Sequence, residues 1–212
     1  MATNPTGGSS SLVERVKNII TRPKLEWPVI DAEPATISGI YRSYVVILAA
    51  IGPVAGAIGM LLFGIRFFGI VYRPSPEHVI VQAVVQYLLA LGAVYVLALI
   101  IEALAPTFGG TKDRVKAFKV AAYGSTASWL AGIFAIIPNL AMLSILGLYS
   151  LYLYYLGLPV LMKVPGDKLV GYIASIIVAA IVLFLIVGAI AAAVVGAFAP
   201  LATPGAGSLT FG

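Results

Sequence analysis

The sequence predicts an all-α integral membrane protein, a bundle of five transmembrane helices preceded by an N-terminal amphipathic helix in the interface. Of the 212 residues, 61% are hydrophobic and 10% are charged. A soluble domain is usually about 45–50% apolar and about 25% charged. The charged residues fall into short clusters separated by long uncharged runs, and most of the basic ones lie on one side of those runs. Composition, run length and charge asymmetry therefore all indicate a multi-pass membrane protein.

The uncharged runs give the number of crossings, because a helix needs roughly 20 mostly apolar residues to cross the hydrocarbon core. Two runs hold one helix each, and a third, Val120–Met162, is about twice as long as one helix needs. Pro138-Asn139 in its middle breaks a helix and favours a turn, which divides that run into two spans. The runs are apolar on all sides rather than alternating, which argues against a barrel. The predicted spans are 43–65, 79–101, 119–137, 140–162 and 170–196.

The orientation follows from the 13 basic residues, because loops rich in Lys and Arg stay in the cytoplasm. Only two of them, Arg66 and Arg73, lie between the first and second spans, whereas the other eleven fall on the opposite face of a five-span bundle. This predicts a cytoplasmic N-terminus, a periplasmic C-terminus and attraction of the inner face to anionic lipid head groups. Those eleven residues are Arg15, Lys17, Arg22, Lys24, Arg42, Lys112, Arg114, Lys116, Lys119, Lys163 and Lys168.

The composition also excludes several kinds of chemistry. There is no cysteine, and one histidine, His78, cannot form a multi-histidine metal centre, so no metal site and no cofactor are expected. All eight acidic residues lie outside the uncharged runs, and no Gly-x-Ser-x-Gly elbow is present, which argues against an enzyme. No basic face with interleaved aromatic residues exists outside the membrane, so nucleic acid is not an expected partner.

The chain divides into a tail of residues 1–10 that is predicted to be disordered, a cytoplasmic helix and connector over 11–39, the transmembrane domain over 40–200, and a flexible periplasmic tail over 201–212. Ser11 and Glu14 form a capping-box pattern, and Pro23 should end the helix. Its apolar face either packs on the inner face of the bundle or serves as a docking surface for a partner. That face comprises Leu12, Val13, Val16, Ile19 and Ile20, and the residues expected to anchor the chain at the interface are Val16, Ile19, Ile20, Trp27 and Lys163.

Small residues at helical spacing predict close helix packing in two spans. Gly52 and Gly56 form such a face in the first span, and Gly188 and Gly196 form one in the last. Packing within the chain is one interpretation, and self-association of copies is the alternative.

Polar side chains within the third and fourth spans are candidates for a polar path or for ligand contacts. The structural alternative is that these hydroxyls bond to neighbouring helices and that Pro159 only bends its helix. Glu102 and Arg66 lie at the ends of spans, and their partners do not follow from their spacing. The candidate residues are Ser125, Thr126, Ser128, Tyr149, Tyr152 and Pro159.

The stretch YSLYLYYLGLPVLMKVP (149–165) resembles the signature of bacterial proteins of the Yip1 domain family. The segments LVERVKNIITRP (12–23) and KVAAY (119–123) resemble other parts of the same family. The resemblance implies five transmembrane helices with a cytoplasmic N-terminus. Eukaryotic relatives are associated with vesicle traffic and small GTPases of the Rab class, and the bacterial members have no agreed molecular function.

These observations together predict a non-enzymatic, multi-pass protein of a bacterial inner (cytoplasmic) membrane. We expect it to organise the membrane or to hold lipids and partners as a scaffold. The alternative is a small oligomeric channel or transporter with a path lined by spans three and four. The expected partners are membrane lipids, through anionic head groups on the cytoplasmic face, and a second copy or another membrane protein.

Overall fold

The computed structural model describes residues 11–67, 70–198 and 208–211. The chain begins with a helical hairpin of α1 (Leu12–Thr21) and α2 (Pro23–Ala32). Ser11 caps α1 by accepting a hydrogen bond from the Glu14 amide at 3.3 Å. Pro23, which has no amide hydrogen, ends α1 and begins α2. The sequence predicted α1, but it treated α2 as part of a connector. The predicted disordered tail 1–10 lies outside the described residues.

Four helices within the described ranges are long and apolar enough to cross a membrane. They correspond to the predicted spans one, two, four and five. The first is α3 (Ile37–Phe63), which contains a π-helical turn at Tyr41–Val45. The second is α4 (Pro76–Leu104), which continues in a 3₁₀ turn. The other two are Met142–Met162 and α8 (Gly166–Phe198).

The predicted third span is divided rather than continuous. It comprises α5 (Arg114–Gly124), α6 (Thr126–Ala131) and a 3₁₀ segment, Gly132–Ile136. A second 3₁₀ segment, Pro138–Leu148, then leads into α7 (Tyr149–Met162), the regular part of the fourth span. The side chain of Ser125, between α5 and α6, hydrogen-bonds back to its own helix, which competes with regular helical structure. A fifth continuous helix long enough to cross a membrane is therefore not found among the described residues.

A small sheet, which the sequence did not predict, lies beyond the end of α3. Strands β1 (Ile65–Phe67) and β2 (Ile70–Arg73) form an antiparallel pair, and β3 (Ser208–Phe211) pairs antiparallel with β2. The fold is thus helical with one minor three-stranded sheet, in the order β1-β2-β3. For residues 208–211 the structure has a strand where the sequence predicted a flexible tail, because the second edge of β2 offers backbone partners.

The bundle has two distinct ends, which we call the hairpin end, where α1 and α2 lie, and the sheet end, where β1–β3 lie. The largest fully buried side chains include Trp27, Phe118 and Tyr172, all near the hairpin end. Helix α8 buries Leu169, Tyr172 and Ile176, and none of its residues from 177 to 197 is buried. The core of this protein is therefore concentrated at the hairpin end.

Candidate functional site

A buried cluster of charges joins the two helices of the hairpin. Arg15 of α1 donates hydrogen bonds from its guanidinium to Glu26 of α2 and to Glu33 beyond it. Arg15 and Glu26 are almost fully buried, and the guanidinium lies 5.7 Å from the centre of the Tyr123 ring. Burial opposes the charge of Arg15, but the hydrogen bond and the negative charges of the two glutamates outweigh it, so the pKa of Arg15 is raised.

A buried lysine of α5 holds the C-terminal end of α2. The Lys119 ammonium donates hydrogen bonds to the carbonyl oxygens of Ile30, at 2.6 Å, and Glu33, at 2.5 Å. The last carbonyls of a helix have no partner within the helix and carry partial negative charge. Lys119 therefore satisfies these carbonyls and fixes the hairpin to the bundle.

One carboxylate connects α2 to two further parts of the chain. Asp31 lies 2.8 Å from the Lys116 ammonium of α5 and 3.0 Å from that of Lys163, which follows α7. Burial opposes ionisation of Asp31, but the two ammonium groups outweigh it, so the pKa of Asp31 is lowered. Lys163, predicted as an interface anchor, is thus engaged in an ion pair, although about half of its side chain remains exposed.

A further acidic group at the hairpin end pairs across the loop between α4 and α5. The Arg114 Nε donates a hydrogen bond to Glu102 Oε2 at 2.9 Å. The partner that the sequence could not assign to Glu102 is therefore Arg114. The side chain of Arg66 lies outside the described part of the chain.

The apolar face of α1 packs on the bundle. Ile19 is fully buried, and Val16 and Ile20 are partly buried against the core, as is Leu12. Val13, which the sequence assigned to the same face, is 73% exposed. Within the protein, the apolar face of α1 therefore packs on the bundle, which is the first of the two interpretations of this helix.

The prediction that Trp27 anchors the chain at the lipid head groups is wrong. Trp27 is fully buried, and a Cβ at Gly157 of α7 would lie 2.6 Å from its ring. Gly157 therefore provides the space that the indole occupies. Enclosure of Trp27 by protein depends on tertiary contacts that sequence spacing does not reveal.

Only one of the four predicted packing glycines makes a close approach within the chain. A Cβ at Gly132 would lie 2.8 Å from the Gly52 Cα, so the backbones of α3 and the segment after α6 nearly touch. For Gly56, Gly188 and Gly196, a Cβ would meet no atom of the described residues within 4 Å. The prediction that these three glycines pack closely against other helices of the same chain is therefore wrong. Self-association of copies through them stays a prediction.

The candidate hydroxyls are engaged in hydrogen bonds between helices. Ser125 Oγ donates to the Ala121 carbonyl at 2.8 Å and lies 2.7 Å from the Tyr154 hydroxyl. Ser128 Oγ lies 3.0 Å from the Gly147 carbonyl oxygen and 2.9 Å from Ser150 Oγ. These bonds join α5 and α6 to the fourth span.

The remaining candidates do not lie together along one path. Thr126 is fully buried, where it bonds to the Tyr123 carbonyl and the Tyr44 hydroxyl at 2.6 Å each. Tyr149 donates to the Ile20 carbonyl of α1 at 3.0 Å. Its neighbour Tyr152 is 40% exposed, and Pro159 lies within α7. A single polar path through all six predicted residues is therefore not formed.

Ser125 and Ser128 do share a cavity of about 630 Å³ between α3, α4, α6 and α8. Its walls are mainly apolar, and Trp129 lines it as well. Sequence reasoning missed a third polar residue in this lining, Gln86 of α4. The signal was present in the sequence, because a carboxamide within an uncharged transmembrane run is unusual, and in the fold Gln86 is an exposed residue that faces this cavity.

The fold and these contacts define a class of protein, a helical multi-pass membrane protein whose ion pairs fix a hairpin on one end of the bundle. The chain belongs to the Yip1 domain family, whose model matches residues 17–202. It is 26% identical over 168 residues to Inner membrane protein YohC of Escherichia coli (strain K12), an alignment that covers 77% of this chain and 86% of that protein. A protein of the same name from Escherichia coli O6:H1 matches equally. No solved structure matches the chain.

Proposed function

We propose that this protein is a non-enzymatic scaffold of the bacterial inner membrane, with five crossings and a cytoplasmic hairpin end that binds anionic lipids. The observation that carries the proposal is the outer surface of the fixed hairpin, which combines exposed apolar residues with basic residues that have no ion pair. The relative named Inner membrane protein YohC supports the location.

Five crossings are supported by the ion pairs of Asp31. Lys116 and Lys163 both bind this carboxylate, so they lie at the same end of the bundle. A chain that leaves one end and returns to it crosses an even number of times. The fourth span supplies one crossing between these lysines, and the divided segment 114–136 supplies the other.

The contacts along α3 support the same count. The Tyr41 ring stacks on Phe118 at 5.0 Å, and further along both segments Gly52 lies against Gly132. Segment 114–136 thus follows α3 side by side and in the same direction. About 20 residues of helix span about 30 Å, so a segment that accompanies α3 in this way has the reach of a crossing despite its irregular backbone.

The sides of the membrane are assigned from charge and from strand pairing. The pairing of β2 with β3 puts the C-terminal strand beside the loop between the first two spans, as an odd number of crossings requires. The eleven basic residues of the opposite end favour the cytoplasm for the hairpin end. The N-terminus is therefore proposed to be cytoplasmic and the C-terminus periplasmic.

The lipid-binding surface consists of residues on the outside of the hairpin. Leu25 and Val29 of α2, one helical turn apart, are 70% and 47% exposed. Lys17, Arg22 and Lys24 are exposed nearby in the chain and make no ion pair within the described ranges. Apolar residues with flanking cations suit the boundary of an anionic leaflet, where each cation contributes about 1 kcal/mol.

A non-enzymatic role is supported by what four of the acidic residues at the hairpin end do. Glu26, Glu33, Asp31 and Glu102 are all engaged in ion pairs that hold helices together. The hydroxyls proposed for a transport path are likewise used in contacts between helices. These observations favour the scaffold over the channel or transporter.

The proposal is tested with single cysteine probes, since the natural chain has no cysteine. A fluorescent label at Leu25→Cys is compared with one at Glu14→Cys, an exposed position of α1, in nanodiscs with and without phosphatidylglycerol. We expect phosphatidylglycerol to shield the label at position 25 from aqueous iodide and to leave the label at position 14 accessible. Replacing Lys17, Arg22 and Lys24 by Gln should remove this shielding.

Equal iodide quenching at positions 14 and 25 in both lipid mixtures would overturn the lipid-binding proposal, because the apolar surface would then face water. An impermeant thiol reagent tests the topology with the same approach. Cysteines at Tyr72 and Leu209 should react from the periplasmic side and one at Lys24 from the cytoplasmic side. Reaction of positions 72 and 209 from opposite sides would contradict five crossings.

A further inference from the structure

The cavity beside Ser125 and Ser128 lies at the middle depth of the membrane, if the five-span topology proposed above holds. Gln86 is ten residues into α4 from Pro76, about 15 Å along the helix at 1.5 Å per residue. That distance is about half the thickness of the hydrocarbon core. From α8, residues between Ala180 and Ala191 form the facing wall.

The cavity is partly open to its surroundings, so molecules of the bilayer have access to it. Its volume of about 630 Å³ falls in the range of about 300–1,000 Å³ that is typical of ligand sites. Apolar cavities stay dry, and the atoms that line a void lose their dispersion contacts. The outer half of α8 has no buried residue between 177 and 197, so hydrocarbon chains surround this region in a bilayer. A hydrocarbon chain is therefore the main part of the occupant.

The polar groups of the cavity indicate what else the occupant carries. The hydroxyl protons of Ser125 and Ser128 are already donated within the protein. Gln86 is an exposed residue at the edge of this cavity and makes no side-chain hydrogen bond to any part of the chain that the structure describes. An amide N–H without a partner in hydrocarbon costs several kcal/mol, so a carbonyl oxygen of the occupant would satisfy it.

The charge of the lining residues and the depth of the cavity restrict the class of lipid that can bind there. None of the described residues that line the cavity is charged. A phosphate head group would also lie about 15 Å away, at the edge of the hydrocarbon core. A lipid whose polar group is neutral can place that group at this depth, whereas a phospholipid head group cannot.

We infer that this cavity binds a neutral long-chain lipid, whose chain lies between α4 and α8 and whose carbonyl oxygen accepts a hydrogen bond from the Gln86 side chain. The protein then holds a lipid within the membrane as well as contacting head groups at its surface. The site combines apolar walls with one orienting polar group, as small-molecule sites commonly do.

The test uses the two tryptophans, because Trp129 lines the cavity and Trp27 is enclosed by protein. Purified, delipidated full-length protein in detergent is titrated with methyl dibromostearate, whose bromines quench tryptophan on contact. The matched probe is dibromooctadecane, which has the chain but no carbonyl. We expect saturable quenching by both probes, with roughly fivefold tighter binding of the ester because of the added hydrogen bond. Trp129→Phe should abolish the saturable part.

Two kinds of variant separate the contribution of the lipid's hydrocarbon chain to binding from that of its carbonyl group. Gln86→Leu should make the ester bind no more tightly than the hydrocarbon, without loss of either. Ala93→Phe should fill the cavity and abolish saturable quenching by both probes. Ala180→Phe, from the facing wall, serves the same purpose should the first variant fail to fold.

Three results would overturn the inference. Equal binding of ester and hydrocarbon to the natural protein would mean that Gln86 recognises no carbonyl. A dibrominated phosphatidylcholine that quenches Trp129 as tightly as the ester would make the occupant a phospholipid chain instead. Quenching that persists in folded Ala93→Phe and Ala180→Phe would place the probe outside the cavity. None of these readouts depends on the label at Leu25. The proposal of lipid binding at the hairpin surface and the inference of lipid binding in the cavity are therefore tested separately.

Discussion

The hairpin end and the sheet end of this bundle are built in different ways. At the hairpin end, Arg15, Lys119 and Asp31 connect α1 and α2 to α5 and to the end of α7, and large side chains such as Trp27 and Phe118 are fully buried. At the sheet end, the large apolar side chains of α3 and α8 are mostly exposed. Val54, Leu62, Phe184 and Leu185 are examples.

The difference shows which contacts determine the fold. In a bilayer, helices gain little from hiding apolar side chains from lipid, so packing and polar contacts must hold them together. This chain concentrates such contacts at the hairpin end and leaves the sheet end in contact with lipid. Substitutions at the two ends should therefore have different consequences.

The largest effect is expected from Arg15→Met, because two carboxylates of the buried cluster then lose their counter-ion. Breaking a buried ion pair by removing one partner costs about 3–5 kcal/mol. Unfolding by SDS titration in mixed micelles measures this change. Arg22→Met is the matched control, since Arg22 is exposed and its loss should change the free energy of unfolding by less than about 0.5 kcal/mol. Equal stability of the two variants would show that the cluster does not hold the hairpin end together.

A smaller difference is expected between Gly157→Ala and Gly188→Ala. The first adds a methyl group against the buried Trp27 ring, at a cost of about 1–3 kcal/mol. The second meets no atom within 4 Å, and we expect it to raise helix stability by about 0.5–1 kcal/mol. The same titration measures both. If Gly188→Ala destabilises a protein that purifies as an oligomer, the exposed face of α8 is a contact between copies rather than a lipid surface.

The smallest effect concerns pH and the two ion pairs of Asp31. Because the pKa of this carboxyl is lowered in the folded protein, its stabilising contribution is complete above the ordinary value of 3.8 and is lost as the pH falls through the lower folded value. Melting temperatures of the natural protein and Asp31→Asn should therefore differ by a constant amount from pH 7 to about pH 5 and converge at more acidic pH. A difference that instead grows on acidification would contradict the ion pairs.

Much of the fold could be predicted because it depends on local composition. Uncharged runs gave the positions of α3, α4, α7 and α8, and Ser11 and Pro23 gave the ends of α1. The divided third span could not be predicted from hydropathy, since Ser125 interrupts the helix without introducing charge. The sheet was missed because a few residues of strand contribute little to a pattern dominated by helices.

The contacts of the site depended on partners distant in sequence. Trp27 was expected at the lipid head groups because its amphipathic ring suits them, but Gly157, on another helix, provides an enclosed space. Glu102 could not be paired by spacing, since its partner follows a loop. Gln86 was overlooked for a different reason, because a search for charges within the membrane does not find an uncharged carboxamide.

The two bridges of Asp31 have a mechanical consequence. A single carboxylate, on α2, is the shared attachment point for α5 and for the residue that follows α7. Any force that lifts the hairpin must stretch both bridges in the same step, so the hairpin cannot pivot about one of them. Load applied to the outer surface of α2 is thereby transmitted to α5 and to the end of α7 at once.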